Sequence, residues 1–460
     1  MKNIFLRKTT SLFFILYSYF KKDKKIKKFE KQINFENDYY AETNKKNPAY
    51  IFLKSHNQII KNKITEGYES IKNFDKIKIN WNNKNESLKT SSEKDIISSC
   101  RVLGSLGNYR TVFNYLFNRI NILKIKKKPK IFIKKYDKIN NNYLFSHFKP
   151  YLDFHCSSYS YYKNINKIYY HKAPIEISLP YKHKYYPWAI SENLINQYRL
   201  KNKDLSFDYF KLSKKDFEKG KKILENHNLN NYRWYVSIHI RESKKSDDQS
   251  HRNSNPENYI KLIEEILSRG GAVFRVGDNS MTQLPKIKGL IDYPFSDMKS
   301  DFMDVFLAAT SKFVVGTSSG FWTIASFFNT PLMMTNYIPT NEYFTFNQNC
   351  LFIPKFFYRD NEKILTVKET YLSNEYPYYN NVDQYKKESF YFKENTPDDL
   401  HKSVKDMFDL LSNNSKDREK LINLNNQFKK SFFGTHVYDE NKLMPLANFS
   451  RTYIRNFIST

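Results

Sequence analysis

The feature that most constrains this chain is an alternation of short apolar runs and helical patterns between residues 235 and 336. YVSIHI at 235–240 has the continuous apolar character of a buried strand. Asn255 and Pro256 then open a helix whose apolar face is Tyr259, Ile260, Ile263, Ile266 and Leu267, and Gly270 with Gly271 ends it. AVFRV is the next strand. Ser300–Ser311 reads as a helix with Asp301 and Asp304 in its first turn, where the helix dipole favours acids. KFVVGT, FWTIASFF and LMMTN continue as strand, helix and strand. A repeated strand–helix progression of this kind calls for a parallel, doubly wound sheet.

Glycine usage points to the same region. The chain has 11 glycines, and six of them (Gly270, Gly271, Gly277, Gly289, Gly316 and Gly320) fall between 270 and 320, where an even scatter would put roughly one. In a chain that avoids glycine, those that remain mark places where the backbone needs one. A second, shorter unit precedes this region. From Ile96 there is an apolar run, a turn VLGSLGN at 102–108, a helical period through Val112, Phe113, Leu116, Phe117 and Ile120, and a second strand in IFIKKY. The stretch 150–205 is rich in Tyr, Lys and His and broken by Pro174, Pro180 and Pro187, as a crossover between domains would be. DDLHKSVKDMFDLL and REKLINLNNQF read as two amphipathic helices. The expected division is an extension over 1–95, Rossmann-like domains over 96–205 and 206–400, and helices over 401–460 that pack back on the core.

With 460 residues, 17% of them aromatic, the chain has ample material for more than one core. Its 76 Lys and Arg against 47 Asp and Glu leave a net charge of +29. That charge is spread along the chain, and no zinc spacing or RNP-like motif accompanies it, so a specific nucleic-acid partner is not expected. Anionic small molecules or lipid surfaces are. The three cysteines (Cys100, Cys156 and Cys350) form no CxxC pair, which fits a reducing compartment and gives no cysteine metal site. The apolar run Leu12–Phe20 is about half the length a spanning helix needs and runs into a lysine cluster from Lys21 to Lys28. The expected location is cytoplasmic, with residues 1–30 either peripheral on the anionic inner membrane or a frayed basic tail.

Two segments carry candidate chemistry. After YVSIHI comes Arg241 and a loop of about fourteen residues, RESKKSDDQSHRNS, before the helix at Pro256. Ligands of open parallel sheets bind outside the carboxyl ends of the strands, and this loop brings Arg241, Lys244, Lys245, His251 and Arg252 to that edge. A diphosphate site or a solvated basic loop both fit. The second segment is VVGTSSGFW, where Thr317, Ser318, Ser319 and Gly320 follow a strand and precede a helix. Amides and short hydroxyls there can cradle phosphate oxygens, or serve only as helix caps. Asp247–Asp248 reads either as a DxD-like metal pair or, more simply, as a charged loop.

IHIRESK, HRNS, GGAVFRVGD, YPFSDMKSDFMDVFLAATSKFVVGTSSGFW and NTPLMMTN together resemble the C-terminal half of a bacterial glycosyltransferase family found with surface-polysaccharide genes. That family is similar to the α1,6- and protein-O-fucosyltransferases. The resemblance is dense over 235–340 and faint over 100–150. It implies a GT-B architecture, two Rossmann-like domains facing across a cleft, with the nucleotide-sugar held mainly by the C-terminal domain and no obligatory metal or cofactor. Arg241 would be the catalytic residue, binding the diphosphate and stabilising the leaving group. His239 would contact the nucleobase side, Asp304 the base or ribose, and Thr317, Ser318 and Ser319 the phosphates. Arg252, Asn253, Asp278 and Gly320 complete the expected donor-contacting set, and Gly104, Gly107 and Asn108 form an acceptor-side turn. Plainer roles stand beside two of these: His239 as a hydrogen-bonded core histidine and Asp304 as a helix-start acid. Two departures are visible. Glu242 stands where the fucosyltransferases carry a second arginine, so GDP-fucose is not implied as the donor. Ser105 follows Gly104 where the bacterial family more often has histidine. The expected activity is sugar transfer from a nucleotide-sugar to a surface glycan or lipid-linked acceptor. The rival is a non-catalytic basic protein that binds nucleic acid or anionic polysaccharide.

Overall fold

The structure is a computed structural model that describes residues 105–117, 130–134, 139–157, 210–243, 249–338, 346–359, 389–413, 415–433 and 446–458, with short pieces between them. The extension expected over 1–95, Gly104, Lys244, Lys245 and the Asp247–Asp248 pair lie outside the described residues. Residues 91–460 form one compact unit, to which all the described residues belong.

The N-terminal part of this unit alternates strand and helix: β1 (Ile96–Ser98), α1 (Tyr109–Phe117), β2 (Lys130–Lys134), α2 (Asn142–Phe148) and β3 (Asp153–Ser157). The three strands pair in parallel in the order β1-β2-β3. A short antiparallel pair, β4 (Ile177–Ser178) with β5 (Lys184–Tyr185), comes next in chain order. Helix α3 (Lys214–Asn226) succeeds it, capped by the Ser213 hydroxyl.

The main sheet contains β6 (Tyr235–Ile238), β7 (Ala272–Arg275), β8 (Leu290–Asp292), β9 (Val314–Gly316), β10 (Leu332–Tyr337), β11 (Cys350–Pro354) and, at its edge, β15 (Asn448–Phe449). Helices α4 (Ile260–Ser268), α5 (Asp301–Thr310) and α6 (Trp322–Phe327) connect strands within it. All seven strands run parallel in the order β15-β11-β10-β9-β6-β7-β8. Numbered from β6 to β11 in chain order, six of them read 3-2-1-4-5-6, the Rossmann order. The fold is thus α/β with a Rossmann-like parallel sheet. Strands β7, β9, β10 and β11 are buried along their whole length, as parallel strands covered on both faces must be.

A smaller antiparallel sheet, β13-β12-β14, joins the far end of β11. It comprises β12 (Phe356–Arg359), β13 (Lys363–Ile364) and β14 (Phe390–Lys393), with α7 (Val382–Lys387) between the last two. The amphipathic tail forms α8 (Pro397–Leu411) and α9 (Lys416–Phe433), and the chain closes with α10 (Arg451–Ile458). A capping box at Thr396 and Asp399 starts α8. Its Leu400, Val404, Met407 and Leu410 join Tyr259, Leu262, Ile263 and Ile266 of the α4 region in one buried cluster over the sheet. No helix among the described residues is long and apolar enough to cross a membrane.

The structure differs from the sequence pattern at two strands. The pattern passed directly from AVFRV to the helix at Ser300, whereas the three-residue strand β8 lies between them. LID is too short to show a period, and all three residues are only partly buried. The run CLFIP was also not recognised as the sixth strand, β11.

A buried polar network fixes the carboxyl end of the sheet. Asn336 in β10 has φ 46°, a left-handed conformation that asparagine tolerates, and the pairing of β10 with β11 shifts register there. Its side-chain amide donates to the Tyr259 hydroxyl (3.1 Å), which bonds Thr335 Oγ1 (2.8 Å), which in turn donates to the Gly316 carbonyl (3.1 Å). Asn395 completes the network by accepting from the Asn336 amide (2.8 Å) and donating to the Pro354 carbonyl (2.8 Å). Asn395→Ala orphans both of those buried groups. The expected loss is on the order of 3 kcal/mol, read as a lower urea midpoint with an unchanged denaturant slope.

Candidate functional site

The switch point of a doubly wound sheet lies between the two strands whose onward connections leave toward opposite faces. In this sheet those strands are β6 and β9. The backbone ladder continues one residue past β6, with the His239 amide donating to the Val315 carbonyl (2.9 Å). Beyond it a side chain takes over: Thr317 Oγ1 accepts from the Arg241 amide (3.0 Å) and lies 3.4 Å from the His239 carbonyl. A Thr at this position therefore stitches together the two loops that the sheet would otherwise release.

The Arg241 loop is closed by its own bonds. The Ser254 amide donates to the Arg241 carbonyl (2.9 Å), and the Arg241 guanidinium donates through Nη1 to the Gln249 carbonyl (3.0 Å) and to Asn253 Oδ1 (3.1 Å). Asn255 caps the turn at Pro256 by accepting from the Glu257 amide (3.1 Å). Arg252 sits nearer the second segment than its distal place in the loop suggested: its Nε donates to the Ser318 carbonyl (2.9 Å) and its Nη1 to Gln249 Oε1 (2.6 Å). Arg241, Arg252 and Asn253 are thus brought to the Thr317–Gly320 turn.

Within that turn the hydroxyls have separate tasks. Thr317 and Ser318 are buried. The first holds Arg241, and the second accepts from the Ile338 amide (2.8 Å). Ser319 and Gly320 are half-buried, and Ser319 Oγ bonds His239 Nδ1 (2.9 Å). The His239 ring lies nearly parallel to Phe321, with centroids 5.7 Å apart. Burial, reinforced by the charge of Arg275, pushes the His239 imidazole down to about 4, so it is neutral at neutral pH.

The remaining residues expected to contact a donor stand on the β7–β8 side. Asp278 comes just after β7 and is exposed, its carboxylate accepting from the Ser280 amide (2.8 Å). The Ser280 hydrogen bonds, helped by the charge of Lys299, hold its carboxyl below the usual range. Asp304 accepts from the Tyr293 hydroxyl (2.9 Å) and pairs with Lys299, and burial raises its carboxyl pKa. Those bonds tie Asp304 to Tyr293 and Lys299 rather than to the Arg241 loop. On the other side, Gly107 meets Gly320 backbone to backbone, and the Asn108 amide donates to the Ser105 carbonyl (3.1 Å). The Arg110 guanidinium rests 4.8 Å from the centre of the Trp322 ring. The glycine turn of the N-terminal part is therefore in contact with the turn after β9.

Several charged groups of this region were not singled out from sequence. Arg275, wholly buried in β7, bonds Glu242 Oε1 (2.5 Å) and Asp292 Oδ1 (3.0 Å). Glu242 Oε2 accepts from the Thr282 amide (3.2 Å) and Asp292 Oδ2 from the Leu284 amide (2.9 Å). Glu242 is thus the counter-ion of a buried arginine. The signal was present in AVFRV, since a cation inside an apolar strand demands a carboxylate, but nothing local says which one. Lys355 and Glu394 are a second such pair at 3.4 Å. Among the described residues, no group of three or more His, Cys, Asp or Glu is placed to hold a metal ion.

Comparison with known proteins adds no relative: no family model, no curated protein and no solved structure matches the chain.

The contact between the two glycine turns is asymmetric. A Cβ on Gly320 would lie 2.6 Å from the Gly107 amide nitrogen, a backbone atom that cannot swing aside, whereas a Cβ on Gly107 would lie 3.6 Å from the Gly320 Cα, an ordinary contact. Gly320→Ala should therefore cost about 1–3 kcal/mol, and Gly107→Ala no more than about 0.5 kcal/mol, as compared by thermal unfolding. His239 makes stability depend on pH. The unfolded chain takes a proton on His239 near pH 6.5, which the folded protein refuses until about pH 4, so stability falls as pH drops through that window. His239→Gln should show a smaller fall in urea midpoint between pH 7 and pH 5 than the wild type.

Proposed function

We propose that the protein is a nucleotide-sugar-dependent glycosyltransferase of GT-B type. In this reading the main sheet holds the donor, and the parallel β1-β2-β3 unit is the core of the acceptor-side domain. The observation that carries the proposal is the meeting of Arg241, Arg252 and the Thr317–Gly320 turn at the switch point between β6 and β9. That is where an open α/β sheet binds nucleotides, and a loop that carries two guanidiniums and is bonded to a glycine-containing turn suits a diphosphate. The resemblance over 235–340 to polysaccharide glycosyltransferases selects sugar transfer among the activities such a site can serve.

The acceptor, a surface glycan or its lipid-linked precursor, presents a hydroxyl that attacks the anomeric carbon. The nucleoside diphosphate leaves as the glycosidic bond forms. Negative charge grows on the leaving diphosphate in the transition state, and preorganised donors that meet it there accelerate the step. Arg241 is the residue assigned to that task, with Arg252 and the Ser319–Gly320 segment holding the phosphates. Neutral His239, its Nδ1 taken by Ser319, orients the nucleoside side through its other ring nitrogen. The N-terminal lysine cluster keeps the enzyme near the anionic inner membrane where lipid-linked acceptors reside.

The test has two stages. A thermal-shift screen of the full chain against GDP-, UDP-, CMP- and ADP-linked sugars should give one nucleotide class that stabilises the fold, by roughly 2.7 kcal/mol at a hundredfold excess over its dissociation constant. With that donor, Arg241→Lys should lower turnover about a hundredfold to a thousandfold, or about 2.7–4 kcal/mol, while weakening donor binding far less. Near-normal turnover in Arg241→Lys would remove the assigned role. Absence of any stabilising nucleotide-sugar, together with steeply salt-dependent binding to arbitrary DNA, would favour a non-catalytic basic binding protein.

A further inference from the structure

Lys355 occupies the junction of β11 and β12, with its side chain only 5% exposed. Its ammonium donates to the Asn253 carbonyl (2.5 Å) and pairs with Glu394 Oε1 (3.4 Å). The other carboxylate oxygen of Glu394 accepts from the Asn255 amide (2.8 Å) and from Asn258 Nδ2 (3.5 Å). β12 and β14 pair antiparallel with Phe356 opposite Lys393, so Lys355 and Glu394 are the next residues out on the two strands, facing the Arg241 loop together. What they grip is the segment that grips Arg241: the Asn253 side chain accepts from the guanidinium, and the Ser254 amide holds the Arg241 carbonyl.

Packing alone does not account for this arrangement. A methionine would fill the same buried space without desolvating an ammonium. Burial lowers the Lys355 pKa, and the nearby charge of Arg241 lowers it further, against the opposing pull of Glu394. A second cation is thus held close to Arg241 despite repulsion, by bonds that end on the loop carrying Arg241. We propose that Lys355 and Glu394 are a positioning pair that sets the Arg241 guanidinium for an anionic diphosphate ligand, which makes the small β13-β12-β14 sheet part of the binding device. The proposal rests on the reading that Arg241 meets a diphosphate.

The experiment is a double-mutant cycle in the full chain, with the affinity for inorganic pyrophosphate, GDP and UDP measured by calorimetry at fixed salt. Lys355→Met should weaken binding about tenfold in the wild-type background and less than about twofold beside Arg241→Lys, because residues that act through one another are not additive. A purely structural lysine would give equal losses in both backgrounds, and that result overturns the proposal. Should Lys355→Met fail to fold, the pair Lys355→Met/Glu394→Gln removes both charges and leaves no unpaired carboxylate. That double variant should recover the wild-type melting temperature yet still bind about tenfold more weakly; wild-type affinity in it would sink the idea. The two readings fail distinguishably. A wild-type protein that binds none of the three probes defeats the diphosphate reading and the positioning pair with it. Binding that depends on Arg241 but shows no coupling to Lys355 defeats the positioning pair alone.

Discussion

The stitch between Arg241 and Thr317 is the interaction on which the rest of the site depends. A parallel sheet ends in backbone groups with no further ladder to join, and at a switch point the two chains leave in opposite directions. The Thr317 hydroxyl occupies the first position where backbone pairing between β6 and β9 has run out. Everything assigned to the ligand hangs from it. Arg241 leads into a loop that returns to its own carbonyl through Ser254, and Arg252 reaches back across to Ser318. The loops after β6 and β9 are thus joined by one hydroxyl and one guanidinium.

Charge is treated differently on the two sides of this crevice. Toward β7 and β8, the buried Arg275 is matched by Glu242 and Asp292, and both carboxylates take further bonds from backbone amides. That side is electrostatically closed. Toward β11 and β12, Lys355 pairs with Glu394, and its ammonium also donates to the Asn253 carbonyl of the loop that carries Arg241 and Arg252. Across the whole chain the excess of +29 says little, because it is diffuse. Locally, the pairing with Arg275 draws Glu242, one carboxylate of the Arg241 loop, in against the sheet.

How much of this was legible in the sequence depended on range. Strands β6, β7, β9 and β10 could be read because each is a continuous apolar run between turn signals, the mark of strands buried on both faces. Helix α4 could be read from its period and from Asn255, Pro256 and Gly270, all local signals. β8 could not, since three half-buried residues carry no period, and the two-residue β15 takes its identity from pairing with β11 across about a hundred residues. The meeting of Arg241 with Thr317 was legible because both stand directly after apolar runs, at the edge where parallel strands end. The partners of Arg275 and Lys355 were not. Sequence shows that a buried cation needs a carboxylate, but the identity of that carboxylate is set by the strand order 15-11-10-9-6-7-8 and by an insertion sheet, neither of which is a local property.

The turn after β9 shows how hydroxyls that look alike along the chain divide their labour in three dimensions. Thr317, Ser318 and Ser319 look interchangeable as phosphate ligands when read along the chain. In three dimensions each hydroxyl has a fixed partner: Thr317 takes Arg241, Ser318 takes the Ile338 amide and Ser319 takes His239. Hydroxyls already committed to neighbours hold the turn rigid, and a rigid turn presents its amides in one orientation. The Ser319 amide is committed as well, donating to the Thr317 carbonyl (2.6 Å). Gly320 has to lack a side chain for a separate reason, because the Gly107 backbone lies against it. The same glycine thus belongs both to the turn after β9 and to the contact between the two parts of the chain, so the geometry of that turn and the closing of the N-terminal turn onto the sheet are one structural requirement.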